Sequence, residues 1–196
     1  MRRLPDLHDS HAWGRNNVKT VTIILLAAGI FILSGCTTPE PDIVFRPEID
    51  WNDAPSIARA IRVEQNTRFK TTIIQGPNSA SGTRDTALLR AWKSEEQGNI
   101  TYQIYLVDFY DGNWHEYDRA TDANGDLLSV SLYSRDDSYC DPAACSRYEQ
   151  LVIEVSREYL EKNQIDGLII RLSGPGGKEA FFLSPAYIQA FLSVVR

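Results

Sequence analysis

Histidine is scarce in this chain of 196 residues. Of three histidines, His8 and His11 lie near the start and only His115 lies in the body. A His-rich metal centre is therefore not expected, and a Ser/His triad could form only around His115. Cysteine is equally sparse: Cys36, Cys140 and Cys145 leave no second thiol pair for a paired-cysteine zinc motif. Positive charge is short as well. Lysine and arginine total 20 against 26 acids, a net charge of −6. A balance of that sign repels nucleic acid and anionic lipid surfaces, so no nucleic-acid partner is expected. Long apolar runs are missing, since the longest, Val21 to Leu33, falls short of the ~20 residues a spanning helix needs. Internal repeats and low-complexity tracts are absent too.

What is present begins with the flanks of that run. Arg2, Arg3, Arg15 and Lys19 precede it, which favours keeping that end in the cytoplasm, and the small residues Ser34 and Gly35 come after it. Leu33-Ser34-Gly35-Cys36 resembles the lipobox of bacterial lipoprotein precursors, and the run fits the ~7–15-residue apolar region of a signal peptide. The resemblance implies that residues 1–35 are a signal peptide and that Cys36 becomes the first residue of the mature protein. Its thiol would carry a diacylglycerol and its amine a further acyl chain such as palmitate. Several chains, at ~0.8 kcal/mol per buried CH₂, anchor stably where one holds only marginally. Thr37 stands where the inner-membrane retention signal of enteric bacteria is an Asp, so the resemblance favours the periplasmic face of the outer membrane. An uncleaved signal anchor is the alternative. The stretch before the run is long, and a start near Val18 competes with Met1. Arg2-Arg3 is a poor twin-arginine signal because the apolar run begins far downstream.

Export agrees with the remaining cysteines. In an oxidising compartment, Cys140-Asp141-Pro142-Ala143-Ala144-Cys145 reads as a disulfide closing a short loop, with ~2 kcal/mol of stabilisation by chain-entropy arithmetic. A redox or metal role fits less well, because the spacing is wider than C-x-x-C. Residues 36–55 read as a tether, with Pro39, Pro41, Pro47 and Pro55 among acidic residues. Ile43-Val44-Phe45 and Ile49-Asp50-Trp51 are apolar enough to dock on a folded domain.

Residues 56–196 read as one α+β domain. Ala54 to Glu64 suits a short helix. Arg68 to Ile74, Arg84 to Ser94 and Ile100 to Tyr110 read as strands, separated by Gly76-Pro77-Asn78 and Gln97-Gly98-Asn99. Asp111-Gly112-Asn113 suits a tight hairpin returning through Trp114 to Thr121, and Asn124-Gly125 turns into Leu127 to Ser134. Consecutive hairpins of this kind predict an antiparallel β-meander with helices packed on one face. Tyr148 to Val155 reads either as a strand followed by a helix capped by Ser156 and running to Asn163, or as one helix from Ser146. Leu168 to Leu172 and Glu179 to Leu183 form a further hairpin. Ser184-Pro185 then starts a C-terminal helix whose Tyr187, Ile188, Phe191, Leu192 and Val195 share one face. The run from Gly167 to Leu172, with Phe181 to Leu192, is similar to proteobacterial envelope lipoproteins of unknown function.

Three stretches invite chemical readings. Ser173-Gly174-Pro175-Gly176-Gly177-Lys178 resembles a phosphate loop only loosely: Leu172 and Glu179 occupy the positions of a required Gly and Ser/Thr. A glycine-rich hairpin turn explains it better. Asp122-Ala123-Asn124-Gly125-Asp126 has calcium-type oxygens, but EF-hand alignment puts Ala120 first and Ser131 last, so an Asn-Gly turn is favoured and no metal is expected. Trp114-His115-Glu116-Tyr117-Asp118-Arg119 is the densest polar cluster. Glu116 and Asp118 would share a strand face, with Asp108 or Asp111 across the hairpin, as a carboxylate pair needs.

The favoured expectation is a lipid-anchored periplasmic protein with a non-catalytic interaction or envelope-accessory role and no cofactor. Its partners would be the membrane, through the N-terminal lipid, and an envelope protein. Tyr105, Trp114 and Tyr117 are the candidate contact surface, because aromatics of both parities place rings on both sheet faces. A carboxylate-dependent envelope hydrolase around Glu116 and Asp118, and a small-ligand or lipid carrier, are the rivals.

Overall fold

The computed structural model describes residues 48–82, 84–140 and 145–196. Cys36, the signal peptide and the tether up to residue 47 lie outside the described residues. Helix α1 (Ala54–Ala60) is capped by the Asp53 carboxylate, which accepts from Ser56 N at 2.9 Å, and has Pro55 in its first turn. Strands β1 (Arg62–Asn66), β2 (Thr71–Gln75), β3 (Thr86–Ser94) and β4 (Ile100–Asp111) come next as an antiparallel meander. Then come β5 (Arg119–Thr121), β6 (Leu127–Leu128), β7 (Val130–Cys140) and β8 (Cys145–Val155). The chain ends with α2 (Arg157–Asn163), β9 (Leu168–Gly174), β10 (Gly177–Leu183) and α3 (Pro185–Val194).

Two antiparallel sheets result, with orders β1-β2-β3-β4-β8-β7 and β10-β9-β5-β6. An antiparallel α+β architecture with a C-terminal helix is therefore present, but the meander stops at β4. The expected hairpin at Asp111-Gly112-Asn113 does not form. β8 takes the place beside β4 and pairs with it from Tyr102↔Val155 to Asp111↔Ser146. Full-length pairing of two long strands outcompetes a return strand of which only Arg119–Thr121 becomes β. The chain instead leaves the six-stranded sheet through residues 112–118 and enters the other one. Strand β8 followed by α2, with Ser156 Oγ accepting from Tyr159 N at 3.1 Å, decides between the two readings of that region.

Alternation assigns the faces. On β4, Tyr102, Ile104, Leu106 and Asp108 are buried, while Gln103, Tyr105, Val107 and Phe109 point the other way and are half-buried. The inward set joins Leu151 and Ile153 of β8, Leu168, Ile170 and Leu172 of β9, and Leu183 of β10 in one core. Ile57, Leu160, Ile188 and Phe191 bring the three helices into the same core. The predicted apolar face of α3 is buried as expected. Tyr187 also pins α3 to the sheet: its hydroxyl accepts from Leu89 N at 3.1 Å and donates to Pro77 O at 2.8 Å. Gly76 is required there, since a Cβ would stand 2.1 Å from that hydroxyl. Residues 48–55, read as tether, belong to the fold: Ile49 packs on the core and the Trp51 ring lies 6.2 Å from Tyr187. Among the described residues no helix is long and apolar enough to cross a membrane.

Candidate functional site

The three aromatics expected to form one surface are not brought together. Tyr117 is 3 % exposed and belongs to the core, so it is removed from any contact surface. Trp114 is half-buried, with the guanidinium groups of Arg147 and Arg135 at 5.1 and 5.9 Å from its ring. Tyr105 alone stands on the outward face of the six-stranded sheet. The reason is that residues 114–118 are loop, not strand, so the alternation expected of Trp114 to Arg119 does not operate there.

That loop is held down by a buried acid that the sequence did not suggest. Glu149 is 0 % exposed. Its carboxylate accepts from Tyr110 OH at 2.5 Å, from the backbone N–H of Glu116 at 2.8 Å and of Tyr117 at 3.3 Å, and from Arg135 Nε at 3.1 Å. Burial pushes its pKa up, but the bonds from Tyr110, the Glu116 amide and Arg135 outweigh it and hold Glu149 below the usual carboxylate range. Glu116 itself sits at φ 53, a left-handed conformation that costs an L-residue energy, and its N–H bond to Glu149 holds it there. Directly across β4, Asp108 is 3 % exposed and accepts from Tyr117 OH at 2.6 Å. His115 Nδ1 lies 2.6 Å from the same hydroxyl and 3.2 Å from Asp108. Desolvation raises the Asp108 pKa despite these bonds. Both burial and the neighbouring carboxylates push the Tyr117 and Tyr110 hydroxyls up.

Glu116 and Asp118, the expected carboxylate pair, are both exposed. General acid–base work requires at least one shielded carboxyl, and these have none. Asp111 is spent on the Ser146 hydroxyl at 2.6 Å. The glycine-rich stretch is the β9–β10 turn, and its glycines admit the loop. A Cβ on Gly176 would meet Trp114 O at 1.9 Å, and one on Gly174 would meet His115 O and Glu116 O at 2.3 Å. A Cβ on Gly177 would enter the His115 ring. Asp122 Oδ1 accepts the backbone N–H groups of Asn124 and Asp126, so this carboxylate shapes a turn. Among the described residues no group of three or more His, Cys, Asp or Glu is placed to hold a metal.

The concave features lie elsewhere, on the outward face of the six-stranded sheet. One hollow of about 460 Å³ is lined by Arg84, Val107, Phe109, Tyr148 and Gln150. A second, of about 710 Å³, includes Arg59, Arg62, Gln75, Leu88, Arg90 and Tyr105. Cross-strand register sets them side by side, through Thr86↔Val107 and Leu88↔Tyr105. Arg90 stacks on Tyr105 at 3.6 Å and Arg84 on Phe109 at 4.4 Å. Tyr105 OH donates to Gln150 Oε1 at 2.8 Å and Tyr148 OH to Asp136 at 3.0 Å. Among the described residues none of Arg59, Arg62, Arg84 and Arg90 is in an ion pair, and Arg90 Nε, though buried, has no hydrogen-bond partner. Neither hollow is lined by Asp108, Glu149 or His115. These arginines were missed in the sequence. The signal was the even-numbered alternation Arg84, Thr86, Leu88, Arg90, Trp92 along one strand face.

Comparison with known protein families, curated proteins and solved structures finds no match to this chain.

Proposed function

We propose that this is a lipid-anchored protein of the bacterial envelope, held through Cys36 at the periplasmic face of the outer membrane. It binds an envelope component, without catalysis, on the outward face of its six-stranded sheet. The observation that carries this reading is the pair of adjoining hollows there, with aromatic floors and four arginines that find no acid within the described residues. Sites for ligands are concave, part apolar and furnished with a few convergent polar groups, and this face has all three. Eleven residues lie between Cys36 and Glu48, which lines the larger hollow. Fully extended, they reach roughly 40 Å, so the face is kept near the membrane. Cys140 and Cys145 are register partners across the β7–β8 hairpin, a spacing compatible with the disulfide that export would form.

The test uses intact cells. A photo-crosslinking residue is placed at Val107, inside the smaller hollow, in the anchored protein and in a Cys36→Ala form. Metabolic labelling with an alkyne fatty acid should mark the first and not the second. Irradiation should give one dominant adduct that needs Cys36 and disappears with Arg90→Gln. An adduct pattern matching that from a probe at Glu179, an exposed residue of β10 in the other sheet, would overturn the reading.

A further inference from the structure

We infer that the ligand of this face is an anionic saccharide chain, a polymer with carboxylate or phosphate groups spaced along hydroxyl-bearing rings. The inference rests on the reading of the outward face as the binding face, and adds the chemistry of what binds.

Charge is the first argument. The protein is acidic overall, yet the residues lining the two hollows include Arg59, Arg62, Arg84 and Arg90 against one acid, Glu48. Net charge therefore keeps anions away from the body while this face attracts them. Arg90 packs over Tyr105 and Arg84 over Phe109, and although Arg90 Nε is buried, the terminal guanidinium nitrogens of both make no hydrogen bond among the described residues. Those are groups with which arginine binds a carboxylate or phosphate through two parallel hydrogen bonds.

Spacing is the second. Arg84, just ahead of β3, and Arg90 within it both line this face, roughly 20 Å apart at the rise of a β-strand. Arg62 lies opposite Gln75, and Gln75 opposite Arg90, so Arg62 and Arg90 are about two strand spacings apart, ~10 Å. A small anion cannot engage groups so dispersed, whereas an extended polyanion can.

The third argument separates a sugar chain from an acidic peptide. The row Arg62, Gln75, Arg90, Gln103 crosses four neighbouring strands. Among the described residues the side-chain amides of Gln75 and Gln103 make no hydrogen bond. Each offers a donor and an acceptor, which matches hydroxyl groups that also do both. Val107 and Tyr105, half-buried between the arginines, provide apolar ground for the C–H faces of sugar rings. Among the described residues the smaller hollow is lined from β4 and β8, with Arg84 just ahead of β3, and both strands are already paired on each side, so a peptide lying in it finds no free edge there for backbone pairing.

The experiment titrates the domain with hexagalacturonate, using calorimetry and amide-resolved NMR. Maltohexaose and hexaglutamate serve as the neutral-sugar and acidic-peptide counterparts. Hexagalacturonate should bind and shift the Nε–H signals of Arg84 and Arg90. The Arg84→Gln/Arg90→Gln pair should weaken it by about tenfold or more, as loss of charge-assisted hydrogen bonds implies. Arg59→Gln/Arg62→Gln, at exposed positions that stabilise nothing in the core, should also weaken it, so the result does not depend on the first variant folding. Absence of hexagalacturonate binding, indifference to both arginine pairs, or equal binding of maltohexaose or hexaglutamate would overturn the inference. If the Arg90-dependent adduct still forms in cells, the binding face stands and only its ligand class falls. If that adduct is also missing, the face itself is wrong.

Discussion

Asp108 and Glu149 stand directly opposite each other across β4 and β8, both turned into the core, and their pKa values move in opposite directions. Like charges in that position repel. The fold resolves the conflict by giving Glu149 the cation and both loop amides, and Asp108 only the Tyr117 hydroxyl and the His115 ring. Glu149 is thus the ionised member, and Asp108 is pushed toward its neutral form.

Glu149→Gln should destabilise the domain by about 2–4 kcal/mol, because it strips the charge from a buried site that still holds Arg135 and two backbone amides. Urea unfolding monitored by tryptophan fluorescence measures it. A loss below about 0.5 kcal/mol, within the range of ordinary surface substitutions, would refute the role assigned to Glu149.

Asp108→Asn should behave differently, with no loss or a gain of about 1 kcal/mol at neutral pH, since burial already disfavours the charged carboxylate and an acceptor for Tyr117 remains. Equal destabilisation by both substitutions would show that the two acids are not divided in this way.

The pH dependence has a definite sign for each acid. Glu149 lies below its ordinary value of 4.5, so its stabilisation is full above that value and is lost as pH falls through the lower native one. Asp108 lies above its ordinary value of 3.8, so its contribution is full below 3.8 and declines as pH rises through the raised native value. The stability of Asp108→Asn relative to the parent should therefore grow with pH above 3.8, and that of Glu149→Gln relative to the parent should grow as pH falls below 4.5. Unfolding free energies measured across acidic to neutral pH test both slopes.

Gly176→Ala should cost about 1–3 kcal/mol or more, as overpacking against rigid backbone does, and should also weaken the Gly176 N–H bond to His115 O at 3.0 Å. Gly98→Ala is the control: nothing lies near its Cβ, and only its φ of +70° makes a side chain unfavourable, at about 1 kcal/mol. Equal effects at the two sites would mean that the loop does not press on the β9–β10 turn.

Tyr187→Phe should destabilise by about 1–3 kcal/mol, leaving Leu89 N and Pro77 O without their buried partner. Hydrogen exchange should quicken first at Leu89, and unchanged protection there would contradict the pinning of α3 to β3.

Much of the local structure was legible. Ser156 and Ser184-Pro185 mark helix starts by chemistry that acts within one turn, and the apolar spacing of α3 needs no knowledge of its partner. The candidate site was far less legible. Tyr105 could be placed on a strand, but which of its neighbours shared its face depended on β8, far along the chain. Nothing in the sequence marked Glu149 as buried, because alternation tells two faces apart without saying which one is buried. Trp114 to Arg119 looked like a strand because its composition is that of one, and only the competing β8 excluded it.

By itself the sequence determined the resemblance of Leu33-Ser34-Gly35-Cys36 to a lipobox, the acidic balance, the shortage of histidine, the helix caps and the strand-rich middle, all set by composition and near-neighbour chemistry. Tertiary structure alone decided that β4 pairs with β8, that Glu149 rather than Glu116 is the buried acid, and that Arg84 and Arg90 meet Tyr105 and Phe109 on one open face. Those outcomes depend on non-local pairing, in which one strand's register against another selects the face each side chain occupies.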